Sequence, residues 1–377
     1  MILPFLTLYV WEIVFIFFAL ITLIQIFYHL YFFNRVGYFK PKDKEHSQQH
    51  PVSVIVCARD EDENLARNLP GVLVQDYSTS HEVIVVNDNS TDDTKYVLQE
   101  LKKTFKSLHV VELSQEAKHI NGKKYPLSIG IKEAKHEVVL LTDADCVPAS
   151  EHWIRLMQDG YQENTEIVLG YGSYHKRPGL LNKLIRFETF HAGIQYLSYA
   201  LAGIPYMGVG RNISYKKGLF FRHKGFSSIN HIPGGDDDLF VNKAASRQNT
   251  EIVIDKDAIT LSAPKTTWKE WRKQKLRHYT TAKYYKIKHK FLLGLYSFTQ
   301  FLFYPLLIVT ALLYDWRLAL AGLALRWLIL GFVFYKAMQK MNEKDLWSWF
   351  IFFDLWMVIY YILFLPALWR KPRRSWN

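Results

Sequence analysis

The chain has 377 residues, of which 49% are hydrophobic and 16% aromatic, a composition that excludes a disordered or fibrous protein. Its formal net charge of +12 suggests three classes of partner: a nucleic acid, an anionic membrane or a phosphorylated substrate. The two cysteines, Cys57 and Cys146, stand far apart and outside any C-x-x-C pair, so neither a zinc module nor a disulfide framework is expected.

The first long apolar run, roughly 13–33, is long enough to cross a bilayer of about 30 Å. It starts without a positive charge and ends without a small-residue cleavage site, so residues 1–34 are interpreted as a transmembrane anchor and not as a cleaved signal peptide. Basic residues then follow at once, from Arg35 to Lys44. By the positive-inside rule they place the linker 35–50, and the domain after it, in the cytosol.

The middle of the chain, residues 51–285, alternates short apolar runs with polar stretches of helical character. The runs predicted to be strands are 52–57, 82–87, 109–113, 138–142 and 167–171. This alternation predicts an α/β fold with a mostly parallel sheet wrapped by helices. Ligands of such sheets bind at the carboxyl ends of the strands, so the residues directly after each run are the candidates for a site.

Acidic residues follow the most hydrophobic of these runs. Asp143 and Asp145 form a D-x-D triplet there. If the chain turns at that point, the two carboxylates make an oxygen site for Mg²⁺ or Mn²⁺ that holds a diphosphate. The exits of the first two runs, 57–64 and 87–94, are also unusually polar. The second exit is equally typical of a turn and N-cap that open a helix over 94–103.

Three consecutive aspartates, Asp236, Asp237 and Asp238, precede a predicted helix over 241–246. A helix N-terminus favours acidic residues, so one or two of the three would serve only as caps. Three in a row exceed what capping requires. Because like charges in contact raise one another's pKa, such a cluster is typical of a base or of a metal site.

Two later stretches have helical periodicity and two interpretations each. Residues 180–201 predict either a buried core helix or an interfacial helix that admits a lipid-borne acceptor. Residues 268–278 carry two tryptophans together with Gln274, Arg277 and His278. The second stretch is also explained by an amphipathic helix on the membrane surface, with its tryptophans at the level of the lipid headgroups.

Three apolar runs close the chain, roughly 291–314, 318–335 and 346–368, within a C-terminal membrane region 286–377. Lysines at the junctions place both on the side of the central domain, and this charge distribution argues against a nucleic acid as partner. Three full crossings would leave the basic C-terminus on the opposite side. We therefore predict two or three transmembrane helices, and Arg326 and Asp354 mark the runs that could be re-entrant or interfacial.

In this order the motifs resemble those of the inverting family 2 glycosyltransferases, in particular the membrane-anchored branch of cellulose and hyaluronan synthases and ceramide glucosyltransferases. The likeness covers about residues 51–285. It implies a GT-A nucleotide-diphospho-sugar transferase fold, with a Rossmann-like sheet, flanked by transmembrane helices. It also implies an enzyme that moves a sugar, most commonly from a UDP-sugar, to a lipid-linked or glycan acceptor. The expected location is the cytosolic face of a bacterial plasma membrane.

The resemblance assigns a role to individual residues. Donor binding is implied for Cys57, Ala58, Arg59, Glu61, Asp88, Lys123, Asp143, Asp145, Gln274 and Arg277. Asp145 would be the more direct ligand of Mg²⁺ or Mn²⁺, with Asp143 beside it. Asp236 would be the catalytic base, and Asp237 is the second choice. Acceptor-side roles are implied for Gly210, Asn212, Asp238 and His278.

The chain departs from the family pattern at two motifs. Gly234-Gly235 stands where the family has Thr-Glu, and His278 replaces the usual tryptophan of the Q-x-x-R-W motif. Because that tryptophan normally lines the acceptor site, the position of the acceptor stays open. The favoured function is the transfer of one sugar to a lipid-linked acceptor. The alternatives are a processive polysaccharide synthase that exports its glycan and an inactive, membrane-tethered nucleotide-sugar-binding protein.

Overall fold

The computed structural model describes residues 3–41, 49–114, 122–364 and 366, and within them the chain forms ten strands and thirteen α-helices. The strands are β1 Val52–Ala58, β2 His81–Asp88, β3 Leu108–Leu113, β4 Val138–Asp143, β5 Cys146–Pro148, β6 Ile167–Leu169, β7 Gly172–Tyr174, β8 Ile213–Lys216, β9 Thr250–Ile252 and β10 Thr260–Ser262. The helices are α1 Leu3–Phe27, α2 Asn34–Gly37, α3 Asp62–Leu73, α4 Thr94–Thr104, α5 Lys124–Glu133, α6 Trp153–Gln158, α7 Leu180–Leu201, α8 Lys217–Arg222, α9 Asp238–Ala244, α10 Trp268–His278, α11 Ile287–Leu313, α12 Trp316–Lys340 and α13 Phe350–Phe364.

The central sheet has seven strands in the order β3-β2-β1-β4-β8-β6-β9. Its first four strands are parallel, and helices connect them, as right-handed crossovers require. Every residue of β1 is buried, because parallel strands of this kind are covered on both faces. All five predicted runs contain a strand, so the expected α/β fold with a mostly parallel sheet is confirmed.

Several short strands were not predicted. β8 pairs antiparallel with both β4 and β6 and so reverses the direction of the sheet. A second sheet, in the order β5-β10-β7, contains only strands of three residues. Such strands are too short to show a periodic pattern in the sequence. They form because the fold brings β10 next to β5 and β7, with which it pairs.

The sheet brings the predicted strand exits to one edge. Cys57 of β1 pairs in register with Asp143 of β4, and Ala58 pairs with Asn87 of β2. β8 runs in the opposite direction, so its first residue, Ile213, lies at this same edge and pairs with Leu141. The carboxyl ends of three parallel strands and the start of an antiparallel one therefore surround a common space, which we call the carboxyl edge.

Four helical segments of the described residues are long and apolar enough to cross a membrane: Tyr9–Gly37, Ile287–Leu313, Trp316–Lys340 and Lys344–Phe364. The first continues from α1 through a π-helical turn, Tyr28–Phe33, into α2. The helix of the N-terminal segment thus ends at Gly37, three residues beyond the anchor predicted at 1–34. This extension packs on α12, where an added Cβ on Gly37 would meet Lys336 at 2.6 Å.

The two charged residues that mark the membrane runs are partners. Arg326 donates to Asp354 at 2.5 and 2.8 Å, and both side chains are buried. Trp327 and Gln300 also donate to the Asp354 carboxylate, at 3.1 and 3.2 Å. Charges inside an apolar bundle are tolerated when they pair and their remaining polar groups are hydrogen-bonded. The pair therefore links α11, α12 and α13.

α7 is a core helix whose outer neighbours are membrane helices. Phe187 and Phe190 are fully buried, and both pack against Phe334 of α12 with ring centroids 6.0 and 5.4 Å apart. On its other face, Tyr196 donates to the carbonyl oxygen of Gly170, next to the central sheet, at 2.7 Å. Of the two interpretations of residues 180–201, the structure supports the buried core helix.

Candidate active site

The D-x-D carboxylates meet at the carboxyl edge because the chain turns between β4 and β5. Asp143 ends β4, and Cys146 begins β5. One ligand atom from each of Asp143, Asp145 and Cys146 lies within 4.8 Å of the others. Carboxylate oxygens are the ligands that Mg²⁺ and Mn²⁺ prefer, so this turn can hold such an ion.

The electrostatics of the turn favour a cation at Asp145. Burial raises the pKa of Asp145, and the neighbouring Asp143 carboxylate raises it further. Asp143 is different, because the ammonium of Lys123 contacts it and lowers its pKa against the effect of burial. The negative charge of Asp143 is thus offset by the Lys123 ammonium. A cation bound at Asp145 would stabilise the ionised form of that carboxyl.

Cys146 does not fit the role of a metal ligand. Burial and then the Asp145 charge raise the pKa of its thiol well above the usual value, and a hard divalent ion prefers carboxylate oxygens to a sulfur ligand. The Cys146 sulfur lies 2.9 Å from Ser262 Oγ and 3.3 Å from Asp145 Oδ1. The donor set for a hard divalent ion is therefore the two carboxylates. The thiol contributes by donating a hydrogen bond to Asp145 Oδ1.

The first two strand exits also meet at this edge. Arg59 lies 4.0 Å from the buried carboxylate of Asp88. Glu61, just before α3, accepts a hydrogen bond from Asn64 at 2.6 Å. Cys57 is only 5% exposed, and burial raises the pKa of its thiol to about 12. At Cys57 the backbone, and not the side chain, is therefore what a nucleotide could contact.

Asp60 was missed by the sequence analysis, although it ties the two exits together. Its carboxylate accepts hydrogen bonds from the backbone N–H of Thr91 at 2.7 Å and from the Thr91 hydroxyl at 3.2 Å. Its own N–H donates to Ser90 at 2.9 Å. Asp60 and Asn89 both have φ near +55°, a left-handed conformation that aspartate and asparagine adopt more readily than most residues.

The three aspartates of the acidic triplet have different surroundings. Asp237 caps α9 by accepting from the N–H of Asp238 at 2.7 Å, and it also accepts from the N–H of Gly210 at 2.7 Å. Burial, followed by the charges of its two neighbours, raises the pKa of Asp237 to about 8. Asp238 is buried and accepts from Thr281 at 2.5 Å and from Tyr285 at 2.7 Å.

Asp236 is the member of the triplet that the fold leaves available. Its side chain is half-buried, and in the described part of the chain no hydrogen-bond donor to it is recorded. The ammonium of Lys123 interacts electrostatically with both Asp236 and Asp143. One lysine therefore lies near both the D-x-D turn and the acidic triplet.

Two predicted acceptor-side residues make hydrogen bonds within the protein. Asn212 is fully buried. Its amide donates to the carbonyl oxygens of Tyr171 and Ala258, both at 2.8 Å, and accepts from Trp153 at 3.0 Å. Asp238 is similarly committed, to the two hydroxyls that precede α11. Both side chains therefore hold the fold together beside the site, and their acceptor-side role stays a prediction.

Arg211, between the two predicted residues Gly210 and Asn212, was missed. Its guanidinium interacts electrostatically with Asp143 and Asp145. It donates to the carbonyl oxygen of Gly172 at 2.8 Å and lies over the ring of Tyr174 at 4.6 Å. A basic residue at the start of the antiparallel strand was the available signal, but β8 itself was not predicted.

The motif on α10 lies near the D-x-D turn. Gln274 donates to the Tyr174 hydroxyl at 3.3 Å, and Arg277 interacts electrostatically with Asp143. Trp271 is 2% exposed and packs on Phe364 of α13 with ring centroids 5.4 Å apart. Trp271 therefore does not lie among lipid headgroups. The side chain of His278 lies outside the described residues.

Comparison with known proteins agrees with this architecture. The family described as "Glycosyltransferase like family 2" matches residues 50–281. A probable glycosyltransferase of Bacillus subtilis, YdaM, is 24% identical, and the match covers 87% of this chain and 84% of the relative. The beta-monoglucosyldiacylglycerol synthase of Nostoc sp. is 32% identical over 111 residues, which are 28% of this chain and 23% of that protein.

A solved structure shares the fold. The mannosyltransferase PcManGT of Pyrobaculum calidifontis, in complex with GDP-Man and Mn²⁺, superposes with a TM-score of 0.57 at 20% identity, covering 92% of this chain and 99% of the other. At this identity the likeness establishes the fold alone. The family match spans more than half of the chain and coincides with the domain that carries the carboxyl edge. The protein therefore belongs to glycosyltransferase family 2, with a GT-A fold flanked by candidate transmembrane helices.

Proposed function

We propose that the protein is an inverting glycosyltransferase that moves one sugar from a nucleotide-diphospho-sugar to a lipid-linked acceptor. One observation carries the proposal: the ammonium of Lys123 contacts Asp143 of the D-x-D turn and interacts electrostatically with the available carboxylate of Asp236. A donor site and a base for the acceptor are the two parts that this reaction needs. A UDP-sugar is the expected donor, on the resemblance drawn from the sequence.

The donor would lie along the carboxyl edge, with its diphosphate at the D-x-D turn. Asp145 and Asp143 would hold Mg²⁺ or Mn²⁺ there, and such an ion supplies neutralisation of the diphosphate charge. The cations Lys123, Arg211 and Arg277 add positive charge around the same position. Preorganised charge of this kind stabilises a leaving group more effectively than water does.

Asp236 would take the proton from the acceptor hydroxyl. At the same time the hydroxyl oxygen bonds to the anomeric carbon of the donor sugar, and the bond between that carbon and the diphosphate breaks. A placed general base contributes typically ~10²–10⁴-fold. Attack from the face opposite the leaving group inverts the configuration, so an α-linked donor gives a β-linked product. Asp237, whose pKa of about 8 keeps it mainly protonated at neutral pH, is the weaker choice of base.

The acceptor is inferred from the surroundings of the base. Asp238, two residues after Asp236, is hydrogen-bonded to Thr281 and Tyr285, and α11 begins directly afterwards at Ile287. The base thus lies close to the point where the chain enters the apolar helices, and a lipid-borne hydroxyl could approach it from the membrane. The name of the Nostoc relative, a diacylglycerol glucosylating enzyme, supports the same acceptor class.

The test offers membranes that contain the full chain a panel of UDP- and GDP-sugars and identifies lipid products by mass spectrometry. We expect one added sugar per acceptor and loss of transfer when a chelator removes the divalent ion. Asp236→Asn should lower transfer by about 10²–10⁴-fold and leave donor binding intact. Asp76→Asn is the matched control, because Asp76 is exposed and precedes β2 at the opposite edge of the sheet.

Other outcomes would support the alternatives. A ladder of products would indicate a processive synthase, the activity named for a Staphylococcus epidermidis relative, a poly-beta-1,6-N-acetyl-D-glucosamine synthase. Donor binding with neither transfer nor donor hydrolysis would indicate an inactive binding protein. Full transfer by Asp236→Asn would reject the role of Asp236 as base.

A further inference from the structure

Lys124 is a buried lysine that the chemistry above does not use. It begins α5, its side chain is fully buried, and its ammonium donates a hydrogen bond to the carbonyl oxygen of Ile232. Burying an ammonium group is unfavourable unless an opposite charge lies nearby. Burial lowers the pKa of Lys124, and the three aspartates 236–238 oppose that change.

Ile232 belongs to the loop that carries Asp236. This loop approaches the turn before α5 closely, since an added Cβ on Gly122 would lie 4.0 Å from the backbone nitrogen of Gly234. Gly234 and Gly235 have φ values of +82° and +85°, so the loop adopts a backbone conformation that glycine permits. The Lys124 ammonium thus bonds to the loop just before the glycines that lead to the base.

Other titratable groups interact with the aspartates, and most are neutral. They are Lys123, Cys57 and Tyr215 with Asp236; Tyr196 and Tyr285 with Asp237; and Tyr206 and Tyr285 with Asp238. Lys123 is a cation, but its ammonium already contacts Asp143. Lys124 is therefore a buried positive charge beside the triplet that is not shared with the D-x-D turn.

We propose that Lys124 is a positioning residue, which offsets the negative charge of the acidic triplet 236–238 and holds the loop of Asp236 where its carboxylate can accept a proton. The inference rests on the proposed function only for the role of Asp236. Without the cation, three neighbouring carboxylates in a site of low dielectric favour their protonated forms. In a variant that lacks the Lys124 ammonium, the free energy of unfolding and the rate of sugar transfer should therefore depend on pH differently from those of the wild type.

The first test measures thermal unfolding of the purified full chain between pH 5 and pH 8. In Lys124→Met the carboxyl pKa values rise in the folded state, so the folded state loses stability as the pH rises through them. We expect the deficit in Tm against the wild type to grow by roughly 2–4 °C over this range. Lys132→Met is the matched control, an exposed lysine on the same helix, and its curve should parallel the wild type.

Lys124→Gln separates charge from tethering, because glutamine can donate a hydrogen bond to Ile232 without carrying a charge. The proposal expects the same growing deficit in this variant. If Lys124→Gln follows the wild type, or if the deficit of both variants is equal at every pH, the lysine is only a tether and the proposal is overturned. Should Lys124→Met fail to fold, the glutamine variant decides by itself.

The second test is the pH profile of kcat/KM for sugar transfer. The acidic limb should move upward by about one pH unit or more in the neutral variants, with the donor KM unchanged, and Lys124→Arg should restore it. If the neutral variants have a lower kcat/KM but the acidic limb of the pH profile stays where it is in the wild type, the proposal is contradicted. Absence of transfer in the wild type would contradict the proposed function instead, and the unfolding measurement, which needs no activity, would still decide the role of Lys124.

Discussion

Single residues in this site differ in function although they are neighbours in the sequence. The carboxylates of Asp237 and Asp238 accept hydrogen bonds from backbone N–H groups and from hydroxyls of the protein, whereas the carboxylate of Asp236 stays available. The same division separates Arg211, which faces the D-x-D carboxylates, from Asn212, which is turned into the core. These residues lie in turns and at the start of α9, so contacts with distant parts of the fold decide which of them stays available.

Asn212 gives a prediction at this scale. Asn212→Ala leaves the carbonyls of Tyr171 and Ala258 and the indole N–H of Trp153 unpaired, and the free energy of unfolding should fall by about 3 kcal/mol. Chemical denaturation in detergent measures this change. Asn164→Ala, at an exposed site, should stay within about 0.5 kcal/mol. An unchanged stability together with a raised acceptor KM would instead support the acceptor-side role predicted from the sequence.

At the scale of elements, α10 combines a binding face with a packing face. Gln274 bonds to Tyr174 and Arg277 interacts with Asp143, whereas Trp271 packs against α13, where its ring lies near Tyr360 and Phe364. A helix that only lay on a membrane surface would not need this second face. The position of the motif therefore depends on how firmly α10 is packed against α13.

Trp271→Ala tests this dependence. Removing a buried tryptophan destabilises by about 3–5 kcal/mol, and we expect a lower Tm together with a raised donor KM as Arg277 loses its support. Trp268→Ala is the matched control, because Trp268 is 49% exposed and should change neither quantity appreciably. Equal effects of the two substitutions would show that α10 is held by its amphipathic contact with lipid.

Elements were predictable from the sequence to the extent that they were long. α4 was expected over 94–103 and spans Thr94–Thr104, and the helix expected over 241–246 begins earlier, at Asp238, because Asp237 is its cap. The three-residue strands of the second sheet had no signal of their own. They exist because β10 finds partners in β5 and β7, which are distant in the chain.

At the scale of the whole molecule, α13 decides how many segments cross the membrane. Both halves of this helix contact the central domain: Phe353 stacks on Phe187 with centroids 4.2 Å apart, and Tyr360 donates to Glu188 at 3.1 Å. The turn before it is also bound to the domain, since Arg186 donates to Glu343 at 2.9 Å.

We therefore predict that α13 lies along the membrane interface and that the C-terminus is on the side of the catalytic domain. This arrangement satisfies the positive-inside rule at every junction, including the basic tail that follows α13. A C-terminal green fluorescent protein fusion in a bacterial host should fluoresce, and an alkaline phosphatase fusion should be inactive. A phosphatase inserted near Asp315, between α11 and α12, should be active. An active C-terminal phosphatase would establish a third crossing in the C-terminal region.

The amino-acid sequence by itself determined the alternation of strands and helices, the apolar segments and the order of the acidic motifs, because these depend on neighbours close in the chain. The tertiary structure alone decided which aspartate stays available, that Arg211 lies near the D-x-D turn and where α13 packs on the domain. Those outcomes depend on contacts between residues tens or hundreds of positions apart, such as Asp238 with Tyr285 and Arg186 with Glu343. A local pattern carries no information about such partners.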